Sequence, residues 1–144
     1  MSRDGRSAEI RRFDGPEALA ARAGECLGIS EWNEVTDQQV VDFCAATVDA
    51  GQDGVPPWLL LSLLPGLLKQ IYLVDGLRMN LNYGTQQVRH LQAVPVGRRI
   101  RAAATLVEAR PHRLGLRFTI RGEIEAEGLD GPACIADAMI VMAR

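Results

Sequence analysis

Apolar and polar positions change their period once along this chain, from helical in the first half to twofold from Met79 onward. In the first half, Val40, Val41, Cys44 and Val48 recur at helical spacing behind Thr36-Asp37-Gln38-Gln39. That tetrapeptide fits a capping box, with Thr36 as N-cap and Gln39 reaching back, so a helix is predicted over residues 37–48. A shorter helix is expected over 17–26, ended by the glycines at 24 and 28. A third helix begins near Pro56, because the N–H that proline lacks has no partner in a first helical turn. From Trp58 to Leu73 its apolar residues surround the axis almost completely, so the rest of the fold should wrap it. Pro65-Gly66 inside it predicts a kink or a break.

The second half reads as strands. Met79, Leu81 and Tyr83 alternate with Asn80 and Asn82; Ile100, Ala102, Ala104 and Leu106 follow. Leu114, Leu116, Phe118 and Ile120 then alternate with Arg113, Arg117, Thr119 and Arg121, and Ala133 to Met142 is apolar on both faces apart from Asp137. Turn-rich breaks at 95–97, 110–112 and 129–132 separate these runs. One buried helix followed by long antiparallel strands is an α+β pattern.

At 144 residues the chain has the size of one domain with a full core. Residues 1–16 read as a loose charged arm, and 17–144 as the folded domain. A hydrophobic share of 47% with 24% charged residues excludes a disordered chain, and a net charge of -2 gives no pull toward nucleic acid or an anionic membrane. Arg98, Arg99 and Arg101 read as the solvated start of a strand. Cys26, Cys44 and Cys134 lack metal or disulfide spacing and fit a reducing cytoplasm, with Cys44 and Cys134 as buried small hydrophobes. The N-terminus shows no apolar leader, and the run after Trp58 is too short to span a membrane. A soluble, cytoplasmic protein without a metal site is expected.

Several segments together resemble the MaoC-like hydratases, single-hotdog relatives of the (R)-specific enoyl-CoA hydratases. They are Gly28-Ile29-Ser30-Glu31-Trp32, Val35-Thr36, Phe43-Cys44-Ala45-Ala46-Thr47 with Asp49, Leu61-Ser62-Leu63-Leu64-Pro65, Asn82-Tyr83-Gly84, Val88-Arg89, Pro95-Val96-Gly97 and Pro132-Ala133-Cys134-Ile135-Ala136. The resemblance runs from about residue 24 to 142. It implies a single hotdog fold, a long helix wrapped by a curved antiparallel sheet, and pairing with a second copy or another hotdog protein. It also implies acyl thioesters of coenzyme A or a carrier protein as ligands, held near the subunit interface, with no further cofactor. The implied chemistry is reversible addition of water across an α,β-double bond.

The family's acid–base pair is D-x-x-x-x-H, which handles the water and the substrate α-proton. Asp49 stands where the aspartate belongs, but five residues on is Gly54, and the loop before the helix is shortened. The helix entrance, which in relatives offers an N–H to the thioester carbonyl, carries Pro56 and Pro57; Gly54, Val55 or Trp58 are left as donors. Trp58 also has the bulk to fill substrate space. Asp53 is either a pocket acid or a helix cap. Asp49 is either a surviving catalytic acid or ordinary loop chemistry. His90 shares a strand face with Asn80, Asn82 and Val88 if no bulge intervenes at Gly84, and is either a replacement catalyst or a filler at the rim. Tyr83 is a further substrate-binding candidate with a supporting role as alternative, and His112 is expected in a solvated turn.

Three functions fit these residues. One is a re-purposed enzyme using Asp49, with His90 or Asn82, for dehydration, isomerisation or cyclisation of an acyl-thioester, polyketide-like or steroid-like substrate. Another is a non-catalytic subunit paired with a complete hydratase. The third is an ordinary (R)-enoyl-CoA hydratase.

Overall fold

The structure, a computed structural model, describes residues 9–49 and 53–144. Its elements in chain order are β1 (Arg11–Asp14), α1 (Gly15–Ala20), β2 (Cys26–Ile29), β3 (Asn33–Glu34), α2 (Asp37–Thr47), α3 (Pro57–Ser62), α4 (Leu64–Leu68), β4 (Tyr72–Asp75), β5 (Met79–His90), β6 (Arg99–His112), β7 (Gly115–Ala126) and β8 (Pro132–Ala143). Among the described residues the main sheet has the strand order β2-β6-β7-β8-β5, with β3 also on β6 and all pairings antiparallel. The α+β class is as the pattern predicts.

The twofold alternation sorts this sheet into two faces. Ile100, Ala102, Ala104 and Leu106 of β6, Phe118, Ile120 and Ile124 of β7, and Cys134, Ala136, Ile140 and Met142 of β8 are buried toward α3 and α4. Leu59, Leu60, Leu64, Leu67 and Leu68 meet them from the helical side. Each such leucine contributes roughly 1.5–3 kcal/mol, so this contact dominates the core. Gly122 permits its closeness: a Cβ there would lie 2.6 Å from a Leu64 methyl. The opposite face carries cross-strand ion pairs, including Arg101–Glu125 and Arg121–Asp137. Asp137 is buried and accepts from Arg121 Nε and Nη2, at 2.8 and 3.1 Å, and its carboxylate raises the guanidinium pKa.

Three expectations change. Residues 11–14 do not belong to a loose arm: they form β1, parallel to β4, with Phe13 buried and Arg12 bonded to Asp75. The helix expected over 17–26 is α1, six residues long, beginning at Gly15 and ending before the turn at Gly24. The long apolar helix is broken, as Pro65-Gly66 predicts, but at Leu63, into two short helices, and it ends sooner than expected, since Tyr72 and Leu73 belong to β4. It is not wrapped on all sides either: Trp58 is 61% exposed, because the helices' flank over β5 is open. The α2 prediction holds, with both capping-box bonds formed. Yet α2 lies on the surface with Val41 exposed, while Val40 and Phe43 pack partly on the core. Cys134 is buried as expected, and Cys44 only half-buried.

Candidate functional site

Strand β5 positions most of the candidate side chains. It uses twelve residues, from Met79 to His90, to span ten of β8, from Ala143 to Cys134. Two one-residue bulges absorb the difference, one between Asn82 and Gly84, the other between Gln86 and Arg89, where Gln87 takes a φ of 56°. A single bulge would turn every later side chain to the other face; two restore the phase. Asn80, Asn82, Thr85 and His90 pair with Met142, Ile140, Ala138 and Cys134, so all four face the helices. The expected shared face of His90, Asn80 and Asn82 therefore exists despite the bulge at Gly84.

They do not form one cluster. Eight residue steps separate Cys134 from Met142, which puts His90 and Asn80 about 27 Å apart along the strand. The site thus has two ends.

At the first end, the entrance of α3, the Trp58 ring stands edge-on to the His90 imidazole with centroids 5.5 Å apart. Gly54 has a φ of +83°, and a Cβ there would lie 2.6 Å from the Val94 carbonyl oxygen. The loop backbone lies directly on the β5–β6 connection, and the Val55 N–H donates to the same Val94 oxygen at 2.8 Å. That bond withdraws Val55 as a donor to ligand. Pro56 and Pro57 have no N–H, which leaves Gly54 and Trp58 of the three donors considered. Asp53 is exposed and does not cap α3, whose N-cap is Pro56 without a side-chain bond.

Asp49 is half-buried just beyond α2, where Val48 adopts the left-handed conformation and the Asp49 N–H donates to the Cys44 carbonyl. Four peptide steps keep it within about 14 Å of Asp53. Tyr83 and His112 stand ring against ring at 5.3 Å, and neither lines the cleft. Ser62 bonds the Leu59 carbonyl, a helix-internal role.

The second end is a cleft of about 550 Å³ between the helices and β5–β8. Leu61, Leu64, Pro65 and Leu68 form its helical wall, a stripe at spacing three and four that continues from Trp58. Asn80, Asn82 and Thr85 face them from β5, Ala138 and Ile140 floor the cleft, and Lys69 and Tyr72 also line it. Asn80 and Asn82 are thus the sequence candidates that line the cleft. Lys69 and Tyr72 were legible only as the polar end of an apolar run. Burial pushes the Tyr72 phenol well above its ordinary pKa of 10.0. Among the described residues no group of acidic, cysteine or histidine side chains could hold a metal ion, and no helix is long and apolar enough to cross a membrane.

No family model matches the chain. A 3-hydroxyacyl-thioester dehydratase Z of Mycobacterium tuberculosis is 35% identical over 147 residues, covering 91% of this chain and 97% of the relative. A MaoC-like dehydratase from Rhodospirillum rubrum superposes with a TM-score of 0.61 at 13% identity, over 85% of this chain and 93% of its own. An (R)-hydratase from A. caviae involved in PHA biosynthesis superposes with a TM-score of 0.66 at 19% identity, over 84% and 96%. These two share the fold, a curved antiparallel sheet around a central helical segment.

Proposed function

Because the chain belongs to the MaoC-like family of hotdog dehydratases and hydratases, we propose that it catalyses reversible dehydration of a 3-hydroxyacyl thioester with an acid–base pair rebuilt around His90. The observation that carries this reading is the exchange at the α3 entrance. Position 54, where a family histidine would stand, has positive φ and no room for a side chain, while the His90 imidazole stands beside Trp58.

The chemistry asks for two transfers: loss of the α-proton, and protonation of the departing 3-hydroxyl as the C–O bond breaks and the double bond forms. The His90 imidazole takes the α-proton and, as imidazolium, returns one to the hydroxyl, which leaves as water. Asp49 orients the hydroxyl and stabilises the imidazolium. The Gly54 or Trp58 N–H receives the negative charge that develops on the thioester oxygen. The acyl chain lies in the apolar cleft, with the Asn80 and Asn82 amides beside it.

A homodimer completes this reading. The outer edge of β5 has no strand partner among the described residues, and Leu81 and Tyr83 on it are exposed. An antiparallel copy of β5 on that edge brings the mouth of one protomer beside the cleft of its partner and covers Trp58.

Purified protein supplied with 3-hydroxybutyryl- and 3-hydroxyoctanoyl-CoA is expected to form the enoyl thioester, followed by its ultraviolet absorbance. Full turnover by His90→Ala would remove the rebuilt pair, and no turnover of either substrate by the wild type would remove the activity itself.

A further inference from the structure

We propose that the cleft selects a ligand whose apolar body ends in an anionic oxygen group, a carboxylate or a phosphate, held by Lys69 and Tyr72. This rests on reading the cleft as the acyl pocket and adds the chemistry of its polar end.

Lys69 is the only lysine in the chain, and it stands at the rim of a cleft otherwise lined mainly by leucine, methionine, isoleucine and valine. No ion pair engages it among the described residues. Tyr72 lines the same cleft and is only 6% exposed. Burial keeps it protonated, so it meets a ligand as a donor.

An ammonium and a phenol O–H in the lining of one apolar cleft, three residues apart in the chain, recognise an oxygen anion by charge-assisted hydrogen bonds. An apolar tail fills the rest. Lys69 follows α4 directly, so helix termination is the competing role. It predicts a change in stability and none in ligand preference.

Two sources supply such an anion. Within one protomer Lys69 is remote from His90, which suits a carboxylate at the far end of the acyl chain. Across the proposed dimer it stands beside the partner's mouth, which suits a phosphate of the thioester carrier.

The test is equilibrium binding of dodecanoate, dodecyl phosphate and dodecanol to wild type, Lys69→Met, Lys69→Arg and Tyr72→Phe. The wild type is expected to bind both anions about tenfold or more tighter than the alcohol. Lys69→Met should erase that difference, Lys69→Arg keep most of it, and Tyr72→Phe reduce it. Equal binding of the three by the wild type, or a difference that survives in Lys69→Met, overturns the inference. These measurements need no turnover, so they stand even if the dehydratase reading fails.

Kinetics then assign the source. A KM increase in Lys69→Met confined to ω-carboxylated acyl chains identifies the chain end. An increase for coenzyme A thioesters but not for N-acetylcysteamine thioesters, which carry no phosphate, identifies the carrier. An unchanged KM for all of them overturns the assignment of this anion to the substrate.

Discussion

The two ends of the site are built from the same pair of elements, the α3–α4 segment and β5, yet they differ in kind. At the α3 entrance the polar groups are few and exposed: the imidazole at the end of β5 against the tryptophan of α3, beside a loop fixed by the Val55–Val94 bond. At the α4 end an apolar cleft carries the nearly buried Tyr72 and the exposed Lys69 in its lining. The first arrangement suits proton transfer, which needs groups open to substrate and able to change protonation state. The second suits recognition, which needs area and a few fixed donors. About 27 Å of strand separates His90 from Asn80, so a change at one end should leave the other's contribution intact.

The largest effect is expected at the entrance. Asp49→Asn keeps the shape and removes the charge, and kcat on a 3-hydroxyacyl thioester should fall by about 10²–10⁴-fold with little change in KM. An unchanged kcat would take Asp49 out of the reaction.

Gly54→His recreates the spacing of the family motif but should not recreate its function. The positive φ and the approach to the Val94 oxygen together predict a loss of about 3 kcal/mol in denaturant unfolding. A variant of wild-type stability and raised activity would show that the entrance has more room than the backbone gives it.

The dimer joins the two ends, so its disruption tests both at once. Leu81→Lys with Tyr83→Lys places charge on the exposed β5 edge and should weaken self-association about tenfold by sedimentation. Activity should fall in step with the monomer fraction.

The smallest effect concerns the cleft end alone. Tyr72 has its folded pKa raised by burial, so its contribution to stability is complete below the unfolded value near 10 and is lost as pH climbs toward the folded one. Unfolding free energy should fall by up to about 1.4 kcal/mol per pH unit above that point. Tyr72→Phe should flatten this part of the decline, and an unaltered alkaline slope would mean that the phenol is not buried as described.

How legible each end was follows from how local its causes are. The capping box of α2 and the alternation of β6, β7 and β8 are written in neighbouring residues, and they formed where the pattern placed them. The family resemblance likewise gave the fold and directed attention to the α3 entrance. The parallel pairing of β1 with β4 joins residues some sixty positions apart, and no local pattern announces it. The break in the apolar helix was legible in Pro65-Gly66, but not how its leucines divide between the core and the cleft wall. In β5 the face of His90 depends on the number of bulges, which alternation alone cannot count. Lys69 and Tyr72 were visible only as the residues that closed an apolar run; that both line one cleft is a tertiary fact.

The division of labour between the ends is tested most directly by comparing His90→Ala with Ala138→Phe, which fills the cleft floor, on one 3-hydroxyacyl thioester. His90→Ala should lower kcat about 10²–10⁴-fold with KM within about threefold, and Ala138→Phe should raise KM about tenfold with kcat retained. A His90→Ala variant with normal kcat, or an Ala138→Phe variant that loses kcat and keeps KM, would contradict it.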